Sequence, residues 1–131
     1  MRPCPKTRRI KKVKIKSSKQ TRKELTKKID IAFSIYIRKR DKRCVICGTA
    51  ENLTCGHLIT LCRTATRWNV NNAFGQCRTC NYKHEFYPEI FFTWYVNHFG
   101  VDALNDLVRM SNTPKKYTID ELRDLLAIFK E

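Results

Sequence analysis

Seven cysteines stand among 131 residues, and four of them fall into two identical short patterns, Cys44-Val45-Ile46-Cys47 and Cys77-Arg78-Thr79-Cys80. Two residues between a pair of cysteines let one turn present both sulfurs to the same ion. Two such knuckles complete a closed tetrahedral Cys4 shell, the chemistry of a structural zinc and not of a catalytic one. Gly48, directly after the first knuckle, suits the tight turn that the geometry needs. A redox Cys-x-x-Cys is the competing chemistry, but there are two pairs here and no thioredoxin-like strand–helix–strand pattern around either. Cys4, Cys55 and Cys62 remain: Cys4 is expected to be a free thiol in the N-terminal segment, and the other two to be small buried residues.

A second set of chemically competent side chains is threaded through the knuckles. His57 follows the first, Asn72 lies five residues before Cys77, and Asn81 directly follows Cys80. A neutral imidazole is the natural general base near pH 7. An amide oxygen such as that of Asn81 suits a hard divalent ion that keeps several of its waters. Asn72 is placed to hold the His ring or its loop by hydrogen bonding. Arg67 and Arg78 are candidates to grip phosphate.

The order His, Asn, Asn inside a Cys4 site resembles the HNH (His-Me finger) nucleases, and most specifically the phage recombination proteins called NinG or Rap. The residues that carry the resemblance run from Asp30-Ile31-Ala32-Phe33-Ser34 through Arg38-Lys39-Arg40-Asp41 and the first knuckle to Gly56-His57-Leu58-Ile59. They continue through Thr66-Arg67-Trp68 and Asn72 to Gln76-Cys77-Arg78-Thr79-Cys80-Asn81. The Cys-x-x-Cys-Asn ending also looks like phage junction-resolving endonuclease VII. The resemblance implies a ββα-metal unit with His57 as general base, Asn72 in the loop, and Asn81 as a ligand of catalytic Mg2+ or Mn2+. It implies cleavage of branched recombination intermediates, Holliday junctions, flaps or forks, in the cytoplasm of a bacteriophage host. One position departs from the pattern: many HNH enzymes carry Asp or His just before the catalytic His, and here that residue is Gly56. Glu85, one helical turn beyond Asn81, is the favoured replacement ligand, with His84 the next choice.

These side chains need a scaffold, and the rest of the chain supplies an α+β one: a small zinc-stabilised ββα unit packed among helices, with a basic arm. Thr21 and Glu24 form a capping box at the head of a helix expected over 22–40, with Leu25, Ile29, Phe33 and Ile37 at helical spacing, and Ile31 and Ile35 widening its apolar face. The zinc and ββα centre occupies 44–87, and helices fill 88–131. Pro88 opens a helix expected to be buried, and Gly100 stops it. Asp102 is placed to cap a short helix through Met110. Thr118 and Glu121 form a second capping box. The expected organisation is therefore an arm, 1–20, and one nuclease-type domain, 21–131.

Charge is concentrated at one end. Residues 1–28 hold 13 basic side chains and one acidic, or +12, whereas the other 103 residues hold 14 and 11, or +3. Arg8, Arg9, Lys11, Lys12, Lys14 and Lys16 lie in this segment. Such a block releases counterions on meeting nucleic acid. The 42% apolar share excludes wholesale disorder. No apolar run approaches the ~18 residues of a membrane span, and the charged N-terminus has no apolar stretch of a signal peptide behind it. DNA is thus the expected partner, in branched form. A homodimer is what symmetric incision of a four-way junction would suit. A non-catalytic, zinc-stabilised nucleic-acid binder is the alternative that Gly56 leaves open.

Overall fold

The computed structural model describes residues 21–130. Arg8, Arg9, Lys11, Lys12, Lys14, Lys16 and Cys4 lie outside the described residues. Helix α1 (Arg22–Asp41) opens on the capping box: the Thr21 hydroxyl accepts from the Glu24 backbone N–H, and the Glu24 carboxylate accepts from the Thr21 N–H. Leu25, Ile29, Phe33 and Ile37, one per turn, are buried. Burying each contributes roughly 1.5–3 kcal/mol. Ile31 and Ile35 are 55% and 40% exposed, so the apolar face is narrower than expected. A narrow stripe suffices because α1 meets its partners on one side only.

Two antiparallel strands follow, β1 (Leu53–His57) and β2 (Ala73–Cys77), paired Leu53 with Cys77 through His57 with Ala73. A loop containing a 3-10 turn at Thr64–Thr66 joins them. Helix α2 (Arg78–Phe86) starts where β2 ends, its first turn capped by the Cys77 sulfur. Helices α3 (Pro88–Phe99), α4 (Val101–Ser111) and α5 (Ile119–Phe129) complete the order.

The hairpin separates two cores. On one side α1 and α5 enclose Leu25, Ile29, Phe33, Ile37 and Leu122 with Trp68 and Ala73. On the other, Leu58, Ile59 and Phe74 pack with Phe91, Tyr95 and Leu107 of α3 and α4. The C-terminal end of α1 holds β2 directly. The Arg40 guanidinium donates to the Val70 and Ala73 carbonyls, and the Asp41 carboxylate accepts from the Gly75 N–H.

Local signals in the C-terminal half resolve in detail. Pro88 is in the first turn of α3, and Gly100 ends it at φ +88°, a conformation that glycine adopts at no steric cost. Helix α3 is less buried than expected: Phe91 and Tyr95 are enclosed, but Ile90 and Phe99 are about half exposed (45% and 50%), because neighbours cover only one stripe of it. Helix α4 begins one residue before Asp102, with Gly100 at its N-cap, so Asp102 sits in the first turn and caps nothing. The Thr118–Glu121 capping box forms at α5.

Candidate functional site

The four knuckle sulfurs, of Cys44, Cys47, Cys77 and Cys80, all lie within 4.8 Å of one another. Those of Cys47 and Cys77 are 3.7 Å apart. Zinc–sulfur bonds of about 2.3 Å in a tetrahedron put sulfurs about 3.8 Å apart, so the cluster fits such an ion. In each knuckle the second cysteine's backbone N–H points at the first one's sulfur, Cys47 to Cys44 at 3.5 Å and Cys80 to Cys77 at 3.4 Å. Burial opposes ionisation of Cys44, but backbone N–H groups of Cys47, Cys77 and Ile46 outweigh it and bring the thiol down to about 6. Burial and the neighbouring sulfurs push Cys80 up. Four thiolates therefore need a cation to coexist, and this donor set could hold a structural metal such as zinc. Cys55 faces the α1 core instead, and burial raises its thiol to about 12. It is half-buried, and Cys62 lies exposed on the loop, so neither is the enclosed residue expected.

His57 is the last residue of β1. Its Nε2 lies 2.9 Å from the Arg67 carbonyl, and its ring packs near Phe33 at 5.8 Å. A carbonyl only accepts, so Nε2 carries the proton and Nδ1 keeps the lone pair in the neutral ring. Burial lowers the His57 pKa, while the Arg67 carbonyl and the Asp30 charge resist. The ring is thus neutral near pH 7, oriented at one nitrogen and basic at the other.

Asn72 is fully buried, and its side chain makes no hydrogen bond to His57. Its Oδ1 accepts from the Ile59 N–H at 2.8 Å, and its Nδ2 donates to the Ile59 and Thr66 carbonyls, each at 3.0 Å. It ties both arms of the loop that carries Arg67, and so reaches the imidazole only through that loop.

Asn81 stands on α2 over the other face of β1. The Thr54 hydroxyl donates to the Gln76 carbonyl at 2.7 Å, so toward Asn81 it can only accept. Asn81 therefore meets it with Nδ2, at 3.1 Å, and its Oδ1 is turned away, available to a cation. Strand alternation puts Thr54 and Gly56 on this face and His57 on the α1 face. No hydrogen bond joins His57, Asn72 and Asn81: His57 ends β1, whereas Asn81 meets Thr54, three residues earlier on the opposite face.

Gln76 has a role that its place in the motif run does not announce. A Cβ built on Gly56 would lie 2.0 Å from the Gln76 Oε1, so this carboxamide fills the volume that a side chain at 56 would take. Gln76 is 1% exposed, and both its side-chain polar atoms lack a hydrogen-bond partner among the described residues. His84 turns inward: its Nε2 donates to the Leu58 carbonyl at 2.9 Å and its ring packs on Phe91 and Phe92. Glu85 is exposed, one turn beyond Asn81 on the same helix face. Packing thus separates the two replacement ligands, one facing the core and one facing solvent.

Arg67 does not offer a free guanidinium. Its Nε and Nη2 bind the two carboxylate oxygens of Asp30 on α1, at 3.0 and 2.6 Å, which occupies the fork a phosphate would use. Arg78 is exposed in the first turn of α2.

A family model described as bacteriophage lambda NinG protein matches residues 4–131. The chain belongs to the NinG family. No curated protein and no solved structure matches it. The match spans the basic segment, both knuckles and the C-terminal helices, so NinG membership concerns the whole architecture and not the cysteine motif alone. Among the described residues, no helix of this NinG protein is long and apolar enough to cross a membrane.

Proposed function

We propose that this NinG-family protein is a metal-dependent, structure-specific DNA endonuclease of HNH type, acting on branched recombination intermediates. The observation that carries the reading is His57: a ring held by a carbonyl at Nε2 and kept neutral by burial, with Nδ1 left as a base. In the proposed reaction Nδ1 takes a proton from water while the water oxygen attacks phosphorus. The phosphorus–oxygen bond to the leaving strand breaks, and that oxygen takes up a proton. Catalytic Mg2+ or Mn2+ would offset the charge that develops on the phosphate. Asn81, through Oδ1, and exposed Glu85 are the side chains suited to hold it, whereas His84 is committed to the core. His57 ends β1 and Asn81 meets Thr54 three residues earlier on its other face, so the scissile phosphate would have to span the strand between them. A structural zinc in the Cys4 cluster would hold the knuckles that fix β2 and α2 beneath it. The arm, Arg78 and other exposed basic residues would supply sequence-blind phosphate contacts.

One observation favours a second reading, a zinc-stabilised nucleic-acid binder without catalysis. Gly56 offers no ligand, and the Gln76 carboxamide fills the space where one would stand. The test is incubation of full-length protein with four-way junction, flap, fork and linear duplex DNA, with Mg2+ or Mn2+. The nuclease reading expects nicks in the branched forms above the duplex level. Tight binding of every form without incision would favour the binder.

A further inference from the structure

The Asp30–Arg67 pair raises a question of magnitude. It is only half buried, with side chains 39% and 20% exposed, and ion pairs so placed add little to global stability. Yet the pair is well built. Asp30 accepts three N–H groups at once: Nε and Nη2 of Arg67, and the Trp68 indole Nε1 at 2.8 Å. It joins the middle of α1 to the loop between β1 and β2, across 37 residues of chain. The same Arg67 provides, from its backbone, the carbonyl that holds His57.

We propose that Asp30 is a positioning residue for His57: by clamping the Arg67 and Trp68 side chains, it fixes the Arg67 carbonyl where it selects the tautomer and aim of the imidazole. The inference deepens the nuclease reading and rests on it for its consequence in catalysis, but the clamp itself is a property of the folded protein. Asn72 holds the same loop from inside, through Ile59 and Thr66, while Asp30 holds it from α1. The loop carbonyl is thus tied on both sides. The charged groups acting on His57 are Asp30 from α1 and Arg67 from the loop. Asp30 favours the imidazolium and the guanidinium opposes it, so loss of the carboxylate leaves the opposing charge alone.

The test uses zinc-loaded full-length protein labelled with 15N in histidine. In the wild type, His57 is expected as the Nε2–H tautomer. Asp30→Asn keeps the shape of the side chain but not its charge or its grip. The expected result is a mixed tautomer, a His57 titration moved to lower pH, and melting within about 5 °C of wild type. On a cleavable junction, kcat should fall about 10-fold or more with KM changed less than about twofold, short of the roughly 10²–10⁴-fold cost of losing a general base. Asp30→Glu, which restores the charge, should recover part of the rate. Arg67→Lys leaves the backbone acceptor in place and removes only the two-pronged anchor. It should give the same tautomer mixing and serves should Asp30→Asn fold poorly. A wild-type His57 tautomer and titration in both Asp30→Asn and Arg67→Lys would overturn the proposal. Altered tautomers in a protein whose wild type cuts no DNA would uphold the clamp and overturn the nuclease reading instead.

Discussion

Replacing Asn72 with alanine tests whether the loop that positions His57 is held from inside. The carboxamide makes three hydrogen bonds, to the Ile59 N–H, the Ile59 carbonyl and the Thr66 carbonyl, at 2.8, 3.0 and 3.0 Å. Ile59 is 8% exposed and Thr66 0%, so solvent does not reach these groups in the native fold. Leaving a buried backbone group unpaired costs about 1–3 kcal/mol. Three such groups set a ceiling of about 9 kcal/mol, and a water entering the vacated space would re-bond two of them. The expected loss is therefore about 1–3 kcal/mol, a sizeable part of a domain stability of roughly 5–15 kcal/mol. Urea unfolding of the zinc-loaded protein in a Trp94→Phe background, where Trp68 is the one tryptophan left and its fluorescence is followed, measures it as a drop in midpoint at constant slope. Trp68 sits on the loop itself and is 7% exposed, so its signal reports the region in question. A loss under about 1 kcal/mol with unchanged zinc content would refute the bracing role.

Cys47→Ser or Cys77→Ser should abolish stoichiometric zinc binding and unfold the centre, since structural zinc is worth roughly 10–16 kcal/mol of apparent binding energy; metal analysis with near-UV circular dichroism checks this, and a metal-free protein with normal melting would contradict it. Deleting residues 1–20 should weaken binding to all DNA forms and lower the log–log salt slope by about 0.9 for each phosphate that the arm had neutralised, with the preference for branched DNA retained; an unchanged slope would show that the arm touches no phosphate. Burial lowers the pKa of both His57 and His84, so the unfolded chain binds more protons than the folded one just below the ordinary histidine value of about 6.5. Stability should be fully present above that pH and be lost as pH falls through the folded values, and His84→Gln should flatten the decline; urea midpoints across this window, with zinc content monitored, decide the matter.

What could be read from the sequence was what local spacing determines. A Cys-x-x-Cys turn brings two sulfurs together by its own geometry, and the two turns meet in one cluster that could hold a metal. The capping boxes at Thr21 and Thr118 are likewise three-residue affairs, and both form. Asn72 could be recognised as a residue that orders the His57 loop, but not that it does so through Ile59 and Thr66. Contacts between distant segments were illegible. Asp30 and Arg67 meet only because α1 crosses the loop, and no periodicity marks either. Gln76 covers Gly56 because the two strands pair in one particular register. His84 and Glu85 both lie within one helical turn of Asn81, and only the packing of α3 shows which faces inward. Apolar composition also overstated the burial of α3, since it does not say how many neighbours a helix has.

Whether His57 is the base of a phosphodiester hydrolysis is decided by comparing wild type with His57→Ala on a labelled four-way junction in Mg2+ or Mn2+. Incision by the wild type is expected, with a loss of about 10²–10⁴-fold in the variant and zinc content and junction affinity nearly unchanged. A wild type that cuts nothing, bound to the junction as tightly as His57→Ala, would contradict it.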